Sequence, residues 1–491
     1  MATSRRPAQT YGALTLQGEA TINARALTRG SDSRTGRHPR RTRWAIALAL
    51  GIGSVQPASD REASAMEKRA TPVETRGTSA TRAAAGARDG APASPESSAD
   101  WLRRALVDHE RALLERDPAL VAGKFTKMAK TPFAFFRGTP WMALREESLF
   151  TTAASSQVAV TGDPHPENVG TTVDAHGVRH LEFNDFDQAD FGSYLDDLRR
   201  LASGFWIVAD MGKLKSKKQD EVVGEVIDGY VAEVRALSGG AQPFALTENL
   251  LGEILPAILN EPDDPLKESD PATQADKTLV REILNSYAGS LPSLKTSGAK
   301  GMLTIKRLVR RHAGVSSFPL LRFQVLVEGP TAGAPDEWIL EIKESKGAPA
   351  ARVIAIQKQF HAADPSDAFL GWASVGGQEF RVRRVDPSQR RISADKLAKR
   401  IRKDDLRKRD LKTLAFSLGR LLARGHCLAL GRDGKPGLNA IVDAIGAKGN
   451  LKDEVVAYAG RMGTANQRDF QLLNELVAGQ GPMLGWRAAA K

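Results

Sequence analysis

Thr161-Gly162-Asp163-Pro164-His165-Pro166-Glu167-Asn168 and Asn184-Asp185-Phe186-Asp187 are the two stretches whose reading decides the fold. Each follows a short apolar run, Val158 to Val160 and Val178 to Phe183, and such runs bounded by turn residues read as strands. Pro164 and Pro166 stiffen the first loop and exclude a helix there. Two strands carrying loops at the same end bring Asp163, Asn168 and Asp185 together. Hard oxygen donors that converge in this way suit Mg²⁺, which takes one or two carboxylates and completes its shell with water and substrate phosphate oxygens. Asp187 stands beside them as an auxiliary acid, and His165 reads as a hydrogen-bonding brace of the loop.

The pattern Asp-x-x-x-x-Asn followed by a strand-borne Asp matches the phosphoryl-transfer template of protein kinases. There the first Asp accepts the proton of the substrate hydroxyl, while the Asn and the later Asp hold metal. The sequence is also similar to aminoglycoside phosphotransferases and related small-molecule kinases through Gly162-Asp163, His165, Asn168, Asp185-Phe186-Asp187, Gly192 and Asp197-Leu198. Thr161 stands where those kinases carry a leading His. The resemblance implies ATP and Mg²⁺ as cofactors, Asp163 as catalytic base, and Asn168 and Asp185 as metal ligands. Without it, Asp196-Asp197 at a helix start is an N-terminal charge favoured by the helix dipole.

A kinase also needs a phosphate cover and a cation. Lys343 ends the apolar strand Ile339 to Lys343, one hairpin after Gly314-Val315-Ser316-Ser317-Phe318. A lysine in a buried strand has few uses besides pairing with phosphate or carboxylate. Gly314, Ser316 and Lys343 are therefore the expected nucleotide contacts. The lysine segment follows the Asp-Asn loop, whereas in kinases it precedes it, so the expected architecture is a circularly permuted, two-lobed, protein-kinase-like α+β fold. The helix after Lys343 has no Glu to pair with it; Gln357 takes that position, and Glu344 is expected on the other strand face. Arg137, among the aromatic residues of a loop from Thr131 to Trp141, is either a phosphate or substrate contact or the partner of an acid such as Asp187.

Helical periodicity starts at Trp101, recurs over 194–212 and 219–238, and returns over 411–429 and 466–478, while 262–280 is polar and loop-like. These segments divide the chain into a basic tail (1–100), a helical lobe with the Asp/Asn loop (101–300), a β-rich nucleotide lobe (301–390) and a helical region completing the large lobe (391–491). Through Pro132 to Trp141, Gly162 to Gly170, Asn184 to Phe205, Ile342 to Glu344, Phe369 to Trp372 and Gln467 to Phe470, the chain resembles the bacterial family called domain of unknown function 2252. That label implies no reaction.

The 491 residues are 41% hydrophobic and 26% charged, which fits two or three globular domains. The single Cys427 excludes an intramolecular disulfide and any multi-thiolate zinc site. Half of the net charge of +12 lies in the first hundred residues, which are too poor in bulky apolar side chains to order a core. Within 40–58, Arg40, Arg41 and Arg43 precede the apolar run Trp44 to Val55, the shape of an export signal although too short to span a bilayer. Export conflicts with ATP use, so the expected location is cytoplasmic or exported, with no transmembrane helix.

The expected partners are a nucleotide and an unidentified hydroxyl substrate. The basic run 396–412 interleaves Asp404, Asp405 and Asp410 and reads as a solvated helix face, so no nucleic-acid partner is expected. Two alternatives stand beside the Mg²⁺-dependent phosphotransferase. One is a nucleotide-binding pseudokinase. The other is a metal-dependent phosphoesterase, which needs several His ligands at strand ends; the chain has 8 His, and His180, His312, His361 and His426 lack that context.

Overall fold

A computed structural model describes residues 98–487 except 174–177, 253, 268–269, 292–302, 329–336, 362–368, 404–407 and 448. The basic tail up to residue 97, with its signal-like segment, lies outside the described residues. Helices α1 (Ser98–Arg116), α2 (Pro118–Met128) and α3 (Pro132–Gly138) come first. Strand β1 (Val158–Val160) leads through a 3-10 turn at Pro166–Asn168 into β2 (Val169–Val173), β3 (Arg179–Phe183) and β4 (Asp190–Gly192). Long helices α4 (Tyr194–Met211) and α5 (Ser216–Ser238) follow, then α6 (Glu248–Leu251), α7 (Ile254–Ile258) and α8 (Gln274–Ser290). Next come β5 (Ile305–Arg310), β6 (Arg322–Glu328), β7 (Glu337–Glu344), α9 (Ala350–Phe360), β8 (Gly371–Val375) and β9 (Gln378–Arg384). Helices α10 (Ala394–Arg402), α11 (Lys408–Leu428), α12 (Leu438–Ile445) and α13 (Leu451–Gln480) close the order. The class is α+β, with helices grouped apart from an antiparallel sheet.

The sheet runs β5-β6-β7-β9-β8, every neighbour antiparallel, with β7 in the centre. Near the centre of β6, β7 and β9 apolar and charged or polar residues alternate, so the sheet has one apolar and one polar side there. Phe323, Val325, Leu340, Ile342, Phe380 and Val382 pack against Val280, Ile283, Leu284 and Tyr287 of α8. Each such fully buried side chain contributes about 1.5–3 kcal/mol. The other side carries Arg322, Gln324, Glu341, Lys343, Arg381 and Arg383 and faces a cleft. Thus α8, which a boundary at 300 would leave with the helical lobe, packs on the sheet.

The larger core joins α4, α5, α9 and α11 to strands β1 to β3. Helices α5 and α11 touch backbone to backbone: a methyl group on Gly229 or Gly419 would sit 2.0 Å from the carbonyl oxygen of Phe416 or Val226. A second core joins α1 to α3 with the end of α13.

Three local expectations are corrected. The aromatic stretch after Thr131 is helix α3 and not a loop, because Thr131 accepts from the Ala134 N–H and Pro132 opens the first turn. Helix α8 begins inside the polar stretch 262–280, where Thr273 and Asp276 form a reciprocal capping box. Helix α13 starts at Leu451 rather than 466; Gly460 and Gly463 weaken its helical signal, yet Gly463 is needed because a side chain there would strike the Trp206 ring.

Candidate functional site

β1 pairs with β4, and β2 with β3, so the loop 161–168 and the turn 184–189 meet at one end of two ribbons. The Asn184 N–H donates to the Asn168 carbonyl at 3.0 Å. Gly162 has φ +81, and a Cβ there would lie 2.2 Å from the Gln188 carbonyl oxygen, so only glycine lets the two loops approach. Asp197 on α4 fixes the first loop from behind. Its carboxylate accepts the Thr161 N–H at 2.7 Å, the Thr161 hydroxyl at 2.9 Å and the Gly162 N–H at 3.0 Å. Asp197 is the N-terminal helix charge that the sequence offered, and because it is buried and bonded it also holds the loop.

Asp163 is buried, with Oδ1 accepting from Arg200 Nε at 2.8 Å. Burial pushes its carboxyl up to about 6 against the opposing pull of Arg200. His165 lies behind it, Nε2 3.8 Å from Asp163 Oδ2, edge-on to Phe133. Burial, then Arg137 and Arg200, drive that imidazole well below its usual range, so it stays neutral. Asn168 donates from Nδ2 to the Asp163 carbonyl at 2.9 Å, which leaves its Oδ1 for a cation.

Asp185 and Asp187 reach across toward the sheet. Lys343 Nζ lies 3.9 Å from Asp185 Oδ1 and pairs directly with Asp187, which Arg381 also contacts. Burial opposes ionisation of Asp185, but Lys343 and Arg381 more than offset it and hold the carboxyl below the usual range. Lys343 is itself 5% exposed and pushed down to about 7 by burial, with Asp185 pulling the other way. It is a buried residue of the central strand, not a surface lysine.

Register explains the charge density. Lys343 sits opposite Arg322 on one side and Arg381 on the other; Glu341 sits opposite Gln324 and Arg383. One row across three strands is therefore entirely cationic, and the next holds Glu341, bonded by Arg383 Nε at 2.9 Å. Three cations in a row, one buried and two partly so, repel one another unless anions neutralise them. Asp185 and Asp187 supply two. The turn from Gly314 to Ser317 closes this end, with Gly314 at φ +80 and Lys127 of α2 donating to its carbonyl at 3.4 Å.

Asp163, His165, Asn168, Asp185, Asp187, Arg137, Gly314, Ser316 and Lys343 all line one cleft of about 490 Å³, within the usual range for small-molecule sites. Gln357 lines it too. Arg137 pairs at 2.5 Å with Glu167 and not with Asp187. Glu344 turns away, bonded by Arg116 at 2.7 Å. Sequence reading missed Arg322, Glu341, Arg381 and Arg391. The first three had a signal, the alternation of charged and apolar residues in β6, β7 and β9.

Among the described residues no three His, Cys, Asp or Glu side chains group as a metal site. The oxygen donors at hand are Asn168 Oδ1 and the carboxylates of Asp163 and Asp185, a set that fits Mg²⁺ sharing its shell with phosphate oxygens. Also among the described residues, no helix is long and apolar enough to cross a membrane.

No curated protein and no solved structure matches the chain. A family described as "Uncharacterized protein conserved in bacteria (DUF2252)" matches residues 116–250 and 255–476, which includes every cleft residue discussed above. The chain belongs to that family.

Proposed function

We propose that this protein is a Mg²⁺-dependent phosphotransferase that moves the γ-phosphoryl group of ATP to a hydroxyl. The observation that carries the reading is the 3.9 Å approach of Lys343 to Asp185, two residues from different parts of the chain facing each other across a cleft. A lysine and a metal-binding Asp that grip one triphosphate are the shared requirement of phosphoryl-transfer sites. The cations Arg322, Lys343, Arg381 and Arg383 outnumber the carboxylates Asp185, Asp187 and Glu341 that they face, which favours a polyanion between the lobes.

Asp163 is the base. It takes the proton of the acceptor hydroxyl while a bond forms from that oxygen to the γ-phosphorus; the bond from the γ-phosphorus to the β,γ-bridging oxygen breaks and ADP leaves. Its raised ionisation range suits this exchange near neutral pH. Asn168 and Asp185 would hold Mg²⁺, which when bound neutralises phosphate charge. Lys343 contacts the phosphates, with Asp187 holding its ammonium in place in the absence of a helix Glu. Gly314 and Ser316 offer main-chain and hydroxyl groups to the phosphates. The order of these parts along the chain corresponds to a kinase-like fold that is circularly permuted.

A nucleotide-binding pseudokinase is the second reading, and the 2.8 Å bond from Arg200 to Asp163 favours it, because a paired carboxylate is a weaker base. Thermal unfolding with ATP, ADP and GTP, each with and without Mg²⁺, tests nucleotide binding; ADP release over a panel of hydroxyl compounds separates the two readings. Stabilisation by Mg²⁺-ATP with turnover of at least one compound supports the transferase. No stabilisation by any nucleotide removes both.

A further inference from the structure

Among the described residues, Arg391 lines the cleft with no ion-pair partner. Its main chain is fixed on both sides. It bridges Gly170, two residues past Asn168, and its carbonyl accepts the Asn260 N–H at 2.8 Å. The next residue, Ile392, donates to the Val169 carbonyl at 3.0 Å. Yet the side chain lines the cleft, open to solvent, and among the described residues no carboxylate lies within ion-pair distance of it. Glu167, the acid that attracts it most, is already used: one carboxylate oxygen binds Arg137 and the other accepts the Ala394 N–H at 2.9 Å. Neighbouring Arg390 is occupied by the Asn260 carbonyl at 2.8 Å. A guanidinium that is anchored by its backbone and left without a partner loses little freedom when it binds an anion bidentately.

Its main chain is anchored apart from the lysine row. Arg322, Lys343 and Arg381 sit on the sheet, whereas Arg391 is bridged to β2, the strand that continues the Asp163–Asn168 loop. Of the charged groups around it, Arg137 and Glu167 act on it more strongly than Arg322 and Asp185.

We propose that the acceptor is a hydroxyl compound that also carries an anionic group, phosphate or carboxylate, and that Arg391 binds this group so as to present the hydroxyl to Asp163. This rests on the phosphotransfer reading. A cationic acceptor would meet Arg391 at this end of the cleft and be repelled.

The test is calorimetric titration of the full chain and of Arg391→Gln and Arg391→Lys with four probes: glycerol 3-phosphate, glycerate, glycerol and ethanolamine. Mg²⁺-ATP is titrated in parallel. Saturable binding of the two anions is expected, with affinity about tenfold or more weaker in Arg391→Gln, partly kept in Arg391→Lys, and Mg²⁺-ATP affinity changed less than twofold. The proposal is overturned if neither anion binds the wild-type chain, if Arg391→Gln binds them equally well, or if glycerol or ethanolamine binds as tightly. A parallel loss of Mg²⁺-ATP affinity also overturns it, because Arg391 would then be a nucleotide contact. An Arg391-dependent anion site in a chain that takes no Mg²⁺-ATP would remove the phosphotransfer reading and leave the anion site standing.

Discussion

His426 Nε2 on α11 donates to Asp197 Oδ2 on α4 at 3.1 Å, although 229 positions separate the two residues. The ring's Nδ1 accepts from the Tyr230 hydroxyl at 2.9 Å, an arrangement that a neutral imidazole satisfies at both nitrogens. Asp197 in turn holds Thr161 and Gly162. Small-molecule kinases carry a His where this chain has Thr161; here an imidazole reaches the same neighbourhood from a helix far along the sequence.

Replacing that ring should loosen the loop. His426→Ala leaves the Tyr230 hydroxyl without its partner and Asp197 short of one donor in a fully buried site, which costs about 1–3 kcal/mol. Urea denaturation measures the stability loss, and transfer activity should fall with it. An unchanged midpoint would show that the bond contributes nothing to loop position.

The dependence of kcat/KM on pH should be a narrow bell. Asp163 must be ionised, and its carboxyl is pushed up to about 6, so activity rises with pH through that value. Lys343 must be charged, and it is pushed down to about 7, so activity falls above it. Lys343→Arg should move the alkaline flank well above 7, because a guanidinium does not deprotonate in this range. A profile flat from pH 5 to 9 contradicts both assignments.

Away from the cleft, Lys124 Nζ and Glu110 Oε1 meet at 2.6 Å with both side chains 2% exposed. Glu110→Gln strands the ammonium and should cost about 3–5 kcal/mol, whereas Glu110→Leu with Lys124→Met together should recover most of that loss. Chemical denaturation of the three chains checks the order. Lys346, 4.0 Å from Glu110 and half-exposed, turns to solvent in either variant.

Gly314→Ala should act on nucleotide more than on stability. Its φ of +80 costs an L-residue about 1–2 kcal/mol, and the new Cβ would lie 2.9 Å from Ser317 Oγ. The loop must shift, so the KM for ATP should rise several-fold, a larger effect than the shift in thermal unfolding.

That Asp163, Asn168 and Asp185 meet in one cleft was legible because short strand-to-loop connections leave few places for their side chains to go. Lys343 was legible because a charge inside an apolar strand needs a partner. What remained hidden came from pairing between distant segments. Nothing local in Phe380-Arg381-Val382-Arg383 says that Arg381 lies opposite Lys343; that follows only from β9 joining β7 rather than β6. Arg391 was hidden for the same reason, since its place depends on a bridge to Gly170, more than two hundred residues earlier. Helix α3 escaped because seven residues dense in aromatics carry too little periodicity; its signal was the Thr-Pro cap.

The central claim, that Asp185 and Lys343 close on one triphosphate, is tested most directly by calorimetric titration of Mg²⁺-ATP into the wild-type chain and Asp185→Ala. The wild type should bind one equivalent, with affinity lost when Mg²⁺ is withheld, and Asp185→Ala should show no measurable binding while unfolding as cooperatively as the wild type. Equal Mg²⁺-ATP affinity in the two chains would contradict the account.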